Sequence, residues 1–287
     1  MIARLDLEPT LSPDLLAAVL AKLDIVDKPA LDLAGLNRLC AAYSSHVPND
    51  NIQKRIWLSG ARTRAVTGGD PVEFFTNWLD HGTGGTCFPA NGALCALLQT
   101  IGFDARRISG AVLMEGIEHD GNHGTVLVNL DGVDFLVDAQ LAAFSALPLV
   151  PGQFASTGTG IHDICALPVA DGFDVQWYPG SNRQTPLVMR PNLQLGAVGH
   201  DYFLAQYALS ASRDRRRSPF NEALFIGRHF AGSILIVGRN NRIDISADNT
   251  VIKSEITLIE RNRILVEELG ISEQVVDAIP ADEKPGN

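Results

Sequence analysis

Residues 82–140 read GTGGTCFPANGALCALLQTIGFDARRISGAVLMEGIEHDGNHGTVLVNLDGVDFLVDAQ. Within them stand a cysteine at a helix start, a histidine entering a strand, and an aspartate leaving the strand paired with it. Gly84-Gly85-Thr86-Cys87 is a turn signal. The residues after it place Leu94, Leu97, Leu98 and Ile101 at helical spacing ahead of Gly102, which stops the run. Pro89 fits only in the first turn of that helix, where its missing N–H is not needed. Cys87 is therefore expected at the helix N-terminus, where backbone N–H groups and the positive end of the dipole favour thiolate over thiol. Cys95, two turns on, has no such setting.

Asp131-Gly132 reads as a two-residue hairpin turn between apolar runs. It pairs Leu130 with Val133, Val128 with Phe135, Val126 with Val137 and Thr125 with Asp138. Val126, Val128, Leu130, Val133, Phe135 and Val137 then share a core face, which fixes the register because a slip of one residue would turn it outward. The opposite face carries His123, Thr125, Asn129, Asp134 and Asp138, with Leu127 and Leu136 among them, and is expected to be part covered. His123 and Asp138 become diagonal neighbours roughly 7 Å apart. An aspartate bonded to one imidazole nitrogen fixes the tautomer and leaves the other nitrogen to take a thiol proton. Taken singly, such a cysteine is a small buried hydrophobe and such an aspartate a turn residue; the conjunction points to a nucleophile, a base and an orienting acid.

At these residues the sequence resembles the arylamine N-acetyltransferases, a branch of the transglutaminase-like superfamily. That family carries R-G-G-x-C-F-E-x-N, then a histidine, then an aspartate closing a V-D-x-G-F-G stretch. Here the counterparts are Thr83-Gly84-Gly85-Thr86-Cys87-Phe88-Pro89-Ala90-Asn91, His123, and Leu136-Val137-Asp138-Ala139-Gln140-Leu141. Weaker similarity runs through Arg4-Leu5-Asp6-Leu7, Ser218-Pro219-Phe220 and Glu267-Glu268-Leu269-Gly270-Ile271. Thr83, Pro89 and Gln140 depart from the family's Arg, Glu and Gly, and Pro48-Asn49-Asp50-Asn51 stands where P-F-E-N is expected. The resemblance implies catalytic roles for Cys87, His123 and Asp138, with acyl-CoA or an acyl-phosphopantetheine as co-substrate rather than a bound cofactor. The departures put the usual arylamine substrate in question.

The rest of the chain fits a soluble protein. Its 287 residues are 46% hydrophobic, enough for a substantial core. No run approaches the roughly 20 apolar residues that span a bilayer, and the start lacks the long apolar run of a signal peptide. Cys40, Cys87, Cys95 and Cys165 are scattered, without a disulfide framework, which points to a reducing cytoplasm. A net charge of −10 argues against nucleic acid as a general partner. Glu115, Glu118, His119, Asp120 and His123 lie close in sequence, but histidines four apart in turn and strand share no helical face, so no metal is expected. No phosphate-binding loop or dinucleotide fingerprint is present.

Ser12-Pro13, Asp32 and Asp70-Pro71 open three helices, with Leu36, Leu39, Cys40 and Tyr43 inward on the second. The pattern turns to strands from Asp104 to about Gln194, with residues 148–160 read as a loop. A helix follows over residues 199–210. Residues 230–237, 242–246 and 251–258 read as strands and 263–269 as a helix, and the polar end, residues 281–287, reads as a frayed tail. The sequence supports a mixed α/β (α+β) fold. The resemblance implies its three parts: an N-terminal helical bundle over 1–82, a catalytic helix with a β-barrel-like domain over 83–194, and a C-terminal α/β lid over 195–287.

The function expected is acyl transfer from a thioester, through an acyl-Cys87 intermediate, to a small-molecule amine. An acyl carrier protein is a further candidate partner. Alternatives on the same three residues are a transglutaminase-like peptidase or amidase, an amide synthase releasing an intermediate from a carrier protein, and a scaffold without activity. Arg213, Arg215, Arg216 and Arg217 form the densest basic cluster, just before Ser218 in a region that lies near the coenzyme in the resembled family. Arg215, Arg216 and Arg217 are thus candidate donor-binding residues; a solvated loop balancing nearby acids is the plain alternative.

Overall fold

The computed structural model describes residues 9–117, 121–141, 144–158, 161, 163–177, 186–212, 218–230, 232–248 and 250–283. Four helices lead to the quoted stretch: α1 (Pro13–Lys22), α2 (Leu33–His46), α3 (Ile52–Ser59) and α4 (Pro71–His81). Three carry the caps the sequence assigns. Ser12 accepts from Leu15 N, Asp32 from Gly35 N, and Asp70 from Val72 N and Glu73 N. Gly82 closes α4 at φ 74°, a left-handed conformation that suits glycine. The short α3 has no side-chain cap bond and is not evident in the sequence.

The central helix α5 (Cys87–Ile101) is buried along nearly its whole length. It packs between α1, α2 and α4 on one side and a curved antiparallel sheet on the other. That sheet comprises β2 (Asp104–Val112), β3 (His123–Leu130), β4 (Val133–Val137), β5 (Leu147–Pro148), β6 (Ala155–Gly158), β7 (Asp163–Val169), β8 (Gly172–Trp177), β9 (Leu187–Pro191) and β10 (Ala197–Val198). Its order is β5-β4-β3-β2-β9-β8-β7-β6, with β10 added to β2. Ile108, Leu127, Leu136, Leu147, Ile164 and Val175 meet in one core, so strands from both ends of the order curl toward each other as a nearly closed barrel.

The β3–β4 ladder has the predicted register, with Val126 opposite Val137, Val128 opposite Phe135 and Leu130 opposite Val133. Asp131 and Gly132, at φ 51° and 83°, make the turn. Val126, Val128 and Val137 pack under α5. The opposite face is more deeply covered than its mixed polarity suggests: Leu127 and Leu136 sit inside the barrel core at 1% exposure.

A second sheet orders β1 (Asn49–Asp50), β11 (Phe225–Phe230), β12 (Ser233–Gly238), β13 (Asn241–Ser246) and β14 (Val251–Glu255), preceded in the chain by α6 (His200–Ser210) and followed by α7 (Leu258–Glu267) and α8 (Glu273–Ala278). Its edge strand β1 comes from the N-terminal quarter of the chain: Asn49 pairs with Gly227 on one side and bridges Gly85 on the other.

Several expectations are corrected. Residues 148–160 are not simply a loop, since β6 lies within them and pairs with β7. The run from 225 to 238 holds two strands, β11 and β12. The last long helix starts at Leu258, because Thr257 and Glu260 form a capping box. The end is no frayed tail as far as Glu283: Asp282 bridges Arg55 and Arg261, each at 2.8 Å, and accepts from Leu224 N. Among the described residues no helix is long and apolar enough to cross a membrane.

Candidate functional site

Cys87 is the first residue of α5, after Thr86 as N-cap, and Pro89 lies in the first turn. Thr86 makes no side-chain cap bond, so its hydroxyl does not occupy the N–H groups at the positive end of the helix. The turn before Cys87 requires glycine, because a Cβ on Gly84 would lie 1.8 Å from Pro48 O. Asp50 holds that turn, its carboxylate accepting from Gly84 N at 2.6 Å and Ile52 N at 2.9 Å. Burial pushes the Asp50 acid up to about 7, even though both N–H groups favour its charged form.

His123 opens β3 and Asp138 follows β4, and their side chains meet with Nε2 2.7 Å from Oδ2, almost wholly buried. Burial by itself would lower the imidazole's pKa. The Asp138 charge and hydrogen bond, then a hydrogen bond and charge from Cys87, overcome this and hold His123 up to about 10. For Asp138, burial opposes ionisation, while His123, Asn91 and Thr125 hold its pKa below the ordinary value. With Nε2 given to Asp138, Nδ1 is the imidazole nitrogen left for Cys87, whose Sγ donates to Asn122 O at 3.9 Å.

Asn91 ties the helix to the hairpin. Its Nδ2 donates to Gly124 O at 2.6 Å and Asp138 Oδ1 at 3.1 Å, and its Oδ1 accepts from Ala139 N at 2.8 Å. In the sequence, Asn91 stands out only as the last residue of the Thr83–Asn91 motif. The available signal was its spacing of four from Cys87, which puts both on one helix face.

Cys87 and His123 open onto a cavity of ≈ 320 Å³ whose walls come from both sheets, among them Met114, Ile117, Trp177, Phe225, Ile234 and Ile236. Pro219 and Phe220 also line it, as do Lys54 and Ser218. Lys54 has no counterpart in the sequence reading, since a lysine in a helix ordinarily signals solvent. The basic cluster at 213–217 lies outside the described residues, as do Glu118, His119 and Asp120. Among the described residues no group of three or more His, Cys, Asp or Glu side chains could hold a metal ion.

Residues 32–276 match the family model of the N-acetyltransferases. The chain belongs to the arylamine N-acetyltransferase family. Over 129 residues it is 26% identical to the arylamine N-acetyltransferase of Mycolicibacterium smegmatis; the match spans 43% of this chain and 45% of that relative, less than half its length. In fold it is similar to the arylamine N-acetyltransferase of Salmonella typhimurium, with a TM-score of 0.78 over 94% of this chain and 98% of that one at 17% identity. It is likewise similar to that of Mycobacterium marinum in complex with CoA, with a TM-score of 0.76 over 92% and 94% at 16% identity. Three departures from the arylamine N-acetyltransferase motif gather around the turn before Cys87. Thr83 is fully buried and accepts from Gln53 Nε2 at 3.2 Å. The Pro89 ring lies against Gly85, and Gln140 Nε2 donates to Gly85 O at 3.1 Å.

Proposed function

We propose that this protein transfers an acyl group from a thioester to a small-molecule amine, with Cys87 as nucleophile, His123 as proton carrier and Asp138 as the group that orients His123. The observation that carries this reading is the buried 2.7 Å His123–Asp138 pair, whose imidazole lines the same cavity as Cys87. A protonated His123 is the partner an ionised Cys87 requires. The sulfur attacks the thioester carbonyl, and the first-turn N–H groups of Cys87 and Phe88 are read as donors for the oxyanion. Collapse expels the donor thiolate, which takes the proton from His123 and leaves an acyl-Cys87 thioester and a neutral imidazole. The amine then attacks that carbonyl, its proton passes to His123, and the Cys87 thiolate leaves as the amide forms.

The donor is read as acyl-CoA, in keeping with the fold relative solved with CoA, and with four free cysteines that suit a reducing compartment. Intact-mass measurement after mixing with acyl thioesters, beside an amide-cleavage assay without thioester, tests the proposal. The expected result is one acyl adduct that is lost on adding amine. Amide cleavage without an adduct would instead make the protein a peptidase or amidase, and inertness in both would make it a scaffold.

A further inference from the structure

Lys54 stands on α3 and is only 2% exposed. Its Nζ donates to Ser210 Oγ at 3.1 Å and Ser218 Oγ at 3.3 Å and lies 5.9 Å from the centroid of the Tyr207 ring. Among the described residues it forms no ion pair with a carboxylate. The neighbouring Arg55, equally buried, has Asp282 at 2.8 Å together with carbonyls of Pro280 and Ala281. Burial pushes the Lys54 ammonium down to about 7, and the charge that works against this is that of Cys87. A buried cation without a counter-charge is costly.

An ammonium has three donors, and the serines take two. The Ser210 hydroxyl spends its own proton on Tyr207 O at 2.7 Å. Ser218 Oγ accepts from Lys54 and from Phe220 N, and its own proton has no acceptor among the described residues. Among the described residues, one N–H of Lys54 and the O–H of Ser218 thus have no acceptor, and both residues line the cavity that Cys87 and His123 enter. The other walls are mostly aliphatic and aromatic. An occupant complementary to them has an apolar body and one anionic group with two acceptor oxygens.

We propose that Lys54 and Ser218 receive a carboxylate borne by the group that fills this cavity, so that the protein favours a carboxylate-bearing acyl group or amine over its neutral analogue. The preference between substrates rests on the acyl-transfer reading, whereas the binding of a carboxylate does not. The first measurement is therefore calorimetric titration of Cys87→Ala protein with benzoate and with benzamide, which needs no turnover. Benzoate should bind at least about tenfold more tightly, and Lys54→Met should remove that difference. Lys54→Met is expected to fold, because an apolar chain of similar length replaces an unpaired buried cation. Ser218→Ala, which keeps the cation and removes one donor, should reduce the preference part-way.

Two further arms locate the carboxylate. Acylation of Cys87 by succinyl and butanoyl thioesters, followed by intact mass, reports on the acyl group. KM for an aminobenzoate against the matching aminobenzamide reports on the acceptor. A charged-over-neutral preference of about tenfold in either arm, abolished by Lys54→Met, supports the proposal and names the source. Equal binding of benzoate and benzamide overturns it. So does a Lys54→Met effect of the same factor on charged and neutral substrates, which would make Lys54 a support for Cys87 instead. Lys54-dependent benzoate binding in a protein inert to every thioester would sink the transfer reading and leave the carboxylate site standing.

Discussion

Asp138→Asn is the substitution whose outcome can be worked most fully from the hydrogen bonds. Asp138 Oδ1 accepts from Asn91 Nδ2 at 3.1 Å, Gln140 N at 2.8 Å and Leu141 N at 3.4 Å, while Oδ2 faces His123 Nε2. An asparagine must keep its carbonyl oxygen toward those three donors, which turns its NH₂ toward Nε2. Nε2 then has to accept, and the imidazole proton moves to Nδ1, the nitrogen facing Cys87. A ring so oriented cannot take a proton from the thiol, and it loses the charge that holds its pKa up. Acylation should slow by about 10³–10⁴-fold, or about 4–5.5 kcal/mol of barrier, the order expected when the wrong tautomer meets a nucleophile. Single-turnover acylation near neutral pH, followed by intact mass, measures this. A rate within about tenfold of the unsubstituted protein would refute the assignment of Asp138.

The same variant carries a signature in stability. His123 titrates in the fold at about 10, above its ordinary 6.5, so its contribution is full below 6.5 and is lost as pH climbs toward 10. Asp138 is shifted down from 3.8, so its share is present above that value and is lost as pH falls through the lowered one. The Tm gap between the two proteins should be widest between those ordinary values and close on the alkaline side.

Cys87→Ser should abolish turnover with Tm little changed, and iodoacetamide should label Cys87 first, because burial pushes the Cys40 thiol up to about 12 and raises those of Cys95 and Cys165 as well; faster labelling of any of those three contradicts the assignment. Asp282→Ala strips the counter-charge from Arg55 and Arg261, whose side chains are 2% and 9% exposed, and should cost about 3 kcal/mol in urea unfolding; a loss under about 0.5 kcal/mol would mean that the end of the chain is dispensable. Neutralising Arg215, Arg216 and Arg217 together should raise the donor KM about tenfold and flatten the salt dependence of acylation without moving the acceptor KM, and an unchanged donor KM would return that segment to a plain solvated loop.

The parts of the molecule that were legible in the sequence are those whose signals are local. Asp131-Gly132 with alternating valines specifies a hairpin and its register, and Gly84-Gly85 ahead of an apolar helix places Cys87, with no need of partners elsewhere. Signals that depend on distant partners were silent. Leu127 and Leu136 look part covered until β7, β8 and β9 wrap round to bury them, and nothing in the sequence of those short strands says which face of the hairpin they will cover. Asp282 looks like tail polarity until Arg55, more than 200 residues earlier, lies beside it. Lys54 looks like a solvated face because its burial is made by α6 and the Ser218 turn, neither of which is near it in sequence.

The two-residue strand β1 ties the second sheet to the turn before Cys87. Asn49 is laced to Gly227 on one edge and to Gly85 on the other, and the next residue, Asp50, grips the Gly84 amide. Phe225, Ile234 and Ile236, which roof the cavity, therefore share a continuous backbone seam with the turn that carries the reacting sulfur. A shift of that sheet as one piece would carry the turn before Cys87 with it. The walls contributed by the second sheet and the reacting sulfur are therefore held in one backbone frame, so a change at β1 is expected to reach both at once.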